Sequence, residues 1–156
     1  LDSQNSARVV EDLRRLAPLL LLVSAGCAQI GLQARPVPMN HREVRLSSGV
    51  TYEDLFLGEG IAASRGAEVE LDYTLWLEDG TRIDSTLDRG VPETIVLGEG
   101  PIRGLDEGLV GIQAGGRRKL RVPPALGYGK EGVEGFVPPD ATLVFEVHVL
   151  GVNHPR

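Results

Sequence analysis

Cysteine is almost absent from this chain: there is one, Cys27, in 156 residues. An internal disulfide needs two and a cysteine-based metal centre needs several, so both are excluded. Histidine is nearly as scarce. His41, His148 and His154 lie far apart with no ligand spacing, which argues against a metal cofactor. His148 alternates with apolar neighbours and is expected on the outer face of a strand. Positive charge is also short. Residues 1–40 carry four Arg and three acids, whereas residues 41–156 carry twelve Lys and Arg against nineteen Asp and Glu. An acidic domain does not present the basic face that a nucleic-acid backbone demands. The one basic cluster, Arg117, Arg118, Lys119 and Arg121, reads as the solvated side of a strand. Aromatic residues make up 4% of the chain, with a single Trp.

Several catalytic signatures are missing as well. Gly98, Gly100 and Gly104 do not fit G-x-G-x-x-G, and no βαβ unit with a distal acid surrounds them. Asp84-Ser85-Thr86 lacks the glycine of an aspartic protease site, and no G-x-S-x-G elbow marks a nucleophile. Hydrolase, oxidoreductase and kinase chemistry therefore have no support.

What is present is glycine and proline, 20 and 10 residues, with an apolar fraction of 42%. That is a composition for a turn-rich β domain with enough apolar residues for a core. "AEVELDYTLWLEDG" places Val69, Leu71, Tyr73, Leu75 and Leu77 on one face and Glu70, Asp72, Thr74 and Trp76 on the other, the period of a sheet with one buried face. Asp79-Gly80 then supplies a hairpin turn. "VTYEDLFLGEG", "VPETIVLGEG" and "RRKLRVP" predict further strands. So does "ATLVFEVHVLGV", with Leu143, Phe145, Val147 and Val149 on one face. Between them the period changes: Ile102, Leu105, Leu109 and Ile112 recur at helical spacing, with Pro101 suited to the first turn and Gly115-Gly116 to the end. Strands on both sides of one short helix predict an α+β domain, an antiparallel sheet wrapped across that helix.

The first thirty residues read differently. "RRLAPLLLLVSAGCAQIG" has two arginines, an apolar run and a small-residue zone, the layout of a secretory leader. The run falls short of the ~20 apolar residues of a membrane span. A helix over residues 7–23 is weakened by Pro18 and by apolar residues on every side. "VSAGC" resembles the lipobox of bacterial lipoproteins, with Ser24 where that pattern usually has Leu, Val or Ile. The resemblance implies lipidation of Cys27; a plain signal-peptidase site nearby is the alternative. Leu1 in place of Met points to a truncated start or a non-AUG codon. Residues 31–43, with two prolines and no periodicity, read as a tether. The expected organisation is a leader at 1–30, the tether, a domain at 44–152 and a short tail at 153–156. The expected location is the periplasm, with the membrane reached only through a lipid anchor.

Taken in order, "DYTLWLEDGTRIDST", "LGEGPIRGLDEGLVGIQAGGRRKLRVPPALGYG" and "GFVPPDATLVFEV" resemble the FK506-binding class of peptidyl-prolyl cis-trans isomerases over about residues 48–151. The resemblance implies a half-wrapped antiparallel sheet around a short helix, with an apolar pocket between them. By position it puts Tyr73, Asp84, Ile95, Ile102, Tyr128, Phe136 and Phe145 on pocket positions, with Ile83, Pro101 and Leu105 on pocket positions whose residues have changed. Arg89 matches an arginine beside the pocket aspartate. The family's floor tryptophan is Leu105 here, a usual aromatic is Ile83, and another is Glu93. A wider, less aromatic pocket lowers the expected affinity for FK506- or rapamycin-like macrolides more than it lowers turnover.

Such chemistry needs no nucleophile and no cofactor. Rotating a peptide bond costs ~18–20 kcal/mol because resonance is broken. At proline the two isomers differ by only ~0.5–1 kcal/mol, so both occur. A site has only to prefer the twisted amide. Within the resemblance, an apolar cup of Tyr73, Ile95, Ile102, Leu105 and Phe145 excludes water. The Ile102 N–H and the Tyr128 hydroxyl hold substrate carbonyls, Asp84 polarises or orients, and "ALGYGKEGVEGFVPPD" forms a flap. Ile95, Leu105 and Phe145 would also serve as ordinary core, and Asp84 as a turn residue paired with Arg89. Two functions stand: an exported isomerase acting on proline-containing polypeptides, and a proline-segment binding module with little turnover.

Overall fold

Seven strands, two short helices and a 3-10 turn build the frame of residues 42–155, which are those described by the structure, a computed structural model. The leader, nearly all of the tether and Cys27 lie outside the described residues. In chain order the elements are β1 (Val44–Arg45), β2 (Thr51–Phe56), β3 (Glu68–Leu77), β4 (Arg82–Ser85), α1 (Thr86–Arg89), β5 (Glu93–Val96), α2 (Arg103–Leu109), β6 (Arg117–Val122), a 3-10 turn (Pro124–Leu126) and β7 (Leu143–Asn153).

All pairings are antiparallel, in the order β1-β2-β6-β7-β3-β4, with β5 also on β3. The long strands β3 and β7 form the spine. Their register sets Leu75 opposite Phe145 and Tyr73 opposite Val147. On the other side of β7, Leu120 of β6 pairs with Phe145. Because side chains alternate across a strand, this row and Val69, Leu71, Val147 and Val149 all enter one buried face. On the opposite face Trp76 pairs with Val144 and covers it, which is why Val144 is also buried.

Helix α2 lies against the buried face through Leu105 and Leu109. Its approach is unusually close. A Cβ on Gly108 would meet Leu120 Cδ2 at 2.0 Å, and one on Gly104 would meet Val122 Cγ1 at 2.3 Å. Two glycines four residues apart thus remove the side chains that would hold the helix off β6. A seven-residue helix containing glycine does not hold itself together in water, so packing maintains it.

The helix is shorter than its apolar period predicts. Ile102 caps it from outside, Pro101 precedes it, and Val110 has already left helical backbone at ψ 132. Ile112 is buried, but in the turn that follows. A second helical turn, α1, also appears where the sequence had suggested only the hairpin's end.

The basic cluster requires a correction. Arg117, Lys119 and Arg121 face outward, but Arg118 is buried. Strand alternation turns it inward, where its Nε donates to Asp54 Oδ1 at 2.6 Å on the neighbouring β2. Its Nη1 donates to the carbonyls of Gly108 at 2.7 Å and Val110 at 3.2 Å, and the Tyr52 ring lies 4.0 Å from its guanidinium carbon. Arg118 therefore caps the C-terminal end of α2, where free carbonyls and the helix dipole favour a cation.

Candidate active site

Between α2, the curved face of β3 and β7, and the loop after the 3-10 turn lies a cavity of about 380 Å³. Its walls are mostly apolar. Phe145 and Leu75 form its back, Leu105 and Ile102 its helical side, Ile83 and Ile95 its β4–β5 side, and Tyr128 and Val137 its loop side. Tyr73 meets Phe145 with ring centroids 6.0 Å apart at 60°, a tilted aromatic contact.

The polar side of the cup is one network built on α1. After Asp84 the chain makes a single helical turn that brings Arg89 back over β4. Arg89 Nη1 donates to Asp84 Oδ1 at 2.6 Å, and Nη2 to the Tyr73 hydroxyl at 3.3 Å. The Tyr73 hydroxyl in turn donates to Asp84 Oδ2 at 2.5 Å. Thr86 ties the turn to β3 by accepting the Tyr73 N–H at 3.0 Å and donating to Asp72 Oδ1 at 2.8 Å. Both carboxylate oxygens of Asp84 are thereby occupied.

Protonation follows from these contacts. Burial above all, opposed by the Arg89 hydrogen bond and helped by that of Asp84, brings the Tyr73 hydroxyl up to about 12. It is therefore a donor at physiological pH. The Arg89 hydrogen bond, then that of Tyr73, hold Asp84 below the usual carboxylate range. A carboxylate depressed in the fold contributes stability above its unfolded pKa, and that contribution is lost as pH falls through the folded value. Asp84→Asn is accordingly expected to lose stability at pH ~7 and to differ less from the parent near pH ~3. Urea unfolding at the two values measures this, and an equal deficit at both would contradict the network's role.

Tyr128 behaves differently. Burial raises its pKa first, followed by the negative charges of Asp84 and Glu93. Its hydroxyl makes no hydrogen bond among the described residues, and neither does the Ile102 backbone N–H, although Ile102 is buried. An unpaired backbone N–H on a buried residue is rare and costly, and the hydroxyl of half-buried Tyr128 stands beside it free to bond a ligand, so the two together mark a site.

Tyr73, Ile83, Asp84, Ile95, Pro101 and Ile102 line this cavity, as do Leu105, Tyr128, Phe136 and Phe145. Arg89 does not; it stands behind Asp84 and is largely exposed. Phe136 is 69% exposed and forms rim rather than wall. Sequence reasoning missed Leu71, Leu75, Val133 and Val137, which read only as core or loop. It also missed Asp106, a buried carboxylate on α2 that accepts the Gly100 N–H at 3.1 Å and whose pKa burial raises. The available signal was an acid directly beside the apolar positions of the helix. By tying Gly100 to α2, Asp106 sets the backbone that leads into Ile102.

The family described as FKBP-type peptidyl-prolyl cis-trans isomerase matches residues 59–150. An FK506-binding protein of Neisseria meningitidis serogroup B (strain ATCC BAA-335 / MC58) is 51% identical over 105 residues, covering 67% of this chain and 96% of that one. Among solved structures, FkpA from Escherichia coli is similar at 40% identity and a TM-score of 0.67, covering 72% of this chain and 52% of that chain. AtFKBP13 is similar at 32% identity and a TM-score of 0.66, covering 70% of this chain and 98% of that one.

Proposed function

The chain belongs to the FKBP-type peptidyl-prolyl cis-trans isomerase family, enzymes that act on Xaa-Pro bonds, and on that basis we propose that rotation occurs in the cup of Tyr73, Ile102, Leu105 and Phe145. The observation that carries this placement is the pair of unpartnered donors, Ile102 N–H and Tyr128 O–H, at the edge of an otherwise apolar cavity.

The planar amide has a large dipole and is well hydrated; the twisted amide has lost part of that charge separation. Apolar walls replace the hydrating water and so disfavour the planar forms relative to the twisted one. Proline enters the cup, and Ile102 N–H and Tyr128 O–H each hold a carbonyl of the substrate backbone beside it. Asp84, held from behind by Arg89, accepts the Tyr73 hydroxyl and so fixes that ring in the wall. No bond is made or broken.

Tyr128→Phe removes one donor and no protein contact. Isomerisation of Leu-Pro and Phe-Pro peptides is expected to fall about fivefold in kcat/KM, the loss of one hydrogen bond of ~1 kcal/mol, with unfolding unchanged. Unaltered kcat/KM would remove Tyr128 from the site.

FK506-type ligands bind this family, and we place them in the same cup with reduced affinity, because Leu105, Ile83 and Glu93 supply no rings to stack. The leader-like sequence supports export and a role in folding envelope or secreted proteins, where proline isomerisation is slow. We further propose a lipid anchor on Cys27. Incorporation of labelled lipid that disappears in Cys27→Ser is the expected result; labelling that persists would overturn it.

A further inference from the structure

The side chains that line the cup include three carboxylates, Asp84, Glu93 and Asp106, and no lysine, arginine or histidine. Asp84 is compensated by Arg89 at 2.6 Å. The same guanidinium reaches Glu93 only at 3.5 Å, and one cation cannot neutralise both acids. Asp106 is buried beneath, bonded to a backbone N–H rather than to a cation. The flap adds to the imbalance, since residues 129–140 carry Lys130 against Glu131, Glu134 and Asp140.

We infer that Glu93 makes this isomerase select prolines flanked by a cationic residue. This rests on the isomerase reading of the cup. Proline in the cup brings its neighbouring residues to the rim, and Glu93 is the rim acid left with the weakest compensation. Its carboxylate is about half exposed, so an arriving ammonium or guanidinium meets it without displacing a buried partner. A concave site with apolar walls concentrates the field of such a charge over its mouth. Tyr128, Asp84 and Glu93 line the same cavity, so the two carboxylates face the loop wall across it. Rim charges of this exposure act on encounter and orientation more than on the reacting amide, so they discriminate between substrates.

Two peptide series test this on the full chain, one varying the residue before proline and one the residue after it, with Lys, Leu and Glu at the varied position. At low ionic strength Lys is expected to exceed Leu in kcat/KM by about fivefold in at least one series, with Glu below Leu, and the spread to shrink at ~1 M salt. Glu93→Gln removes the preference for Lys, and Glu93→Lys inverts it toward Glu. Leu peptides that turn over while Lys is no better in either series overturn the inference and leave the isomerase reading intact. So does a Lys preference that survives in Glu93→Gln. Absence of turnover with every peptide would instead count against the isomerase reading itself.

Discussion

Arg118→Ala is expected to unfold at much lower urea than the parent, with a loss of about 3 kcal/mol or more. The guanidinium side chain is 5% exposed and serves three acceptors at once: Asp54, and the Gly108 and Val110 carbonyls. Truncation leaves the carboxylate without its cation and two carbonyls at the end of α2 without donors. Asp54 is 27% exposed, so water recovers part of the loss, which places the effect at the lower end of the ~3–5 kcal/mol range for broken buried pairs. Single domains hold only ~5–15 kcal/mol in total, so this is a large fraction. Arg118→Lys is not expected to rescue, because an ammonium lacks the planar fork that reaches carboxylate and carbonyls together. A loss under about 1 kcal/mol would mean that β6 packing alone holds the helix.

Phe145→Ala is expected to be comparably costly and to abolish turnover. Phe145 is 1% exposed, stands in register between Leu75 and Leu120, and touches the Tyr73 ring. Deleting such a ring costs ~3–5 kcal/mol, from lost burial and from the cavity left behind. Here that cavity opens into the cup, so water enters where the amide must be desolvated. Phe145→Leu separates the two effects. It restores most of the volume at a smaller loss of ~1–1.5 kcal/mol, but leaves the back wall without its ring. Urea unfolding and Leu-Pro isomerisation, assayed where circular dichroism shows each variant folded, read them independently. Full turnover in Phe145→Ala would move the reaction away from this wall.

Much of the frame was legible because its causes are local. The alternation in residues 69–77 and 143–149 dictates one buried face, and the observed β3–β7 register uses those residues. The helix was legible as a change of period, but its ends were not. Apolar spacing continues to Ile112, while backbone geometry stops at Leu109. Capping partners decide that boundary, and here the partner is Arg118, from another element.

The same limit explains the site. Residue type and order carried the resemblance, and through it the positions of Tyr73, Ile102, Tyr128 and Phe145. That Arg89 stands behind Asp84 rather than in the wall depends on one helical turn, α1, too short to leave a period. In "RRKLRV" strand alternation puts Arg118 on the face of Leu120 and Val122, but its ion-pair partner, Asp54, is 64 residues away and only the fold brings the two together. By itself the sequence determined the long strands, the buried faces of β3 and β7, the family and the expectation of an apolar cup. The tertiary structure alone decided which charges are compensated, which donors are left unpaired, and how closely α2 meets β6. Those are sums over residues far apart in the chain, and periodicity records only near neighbours.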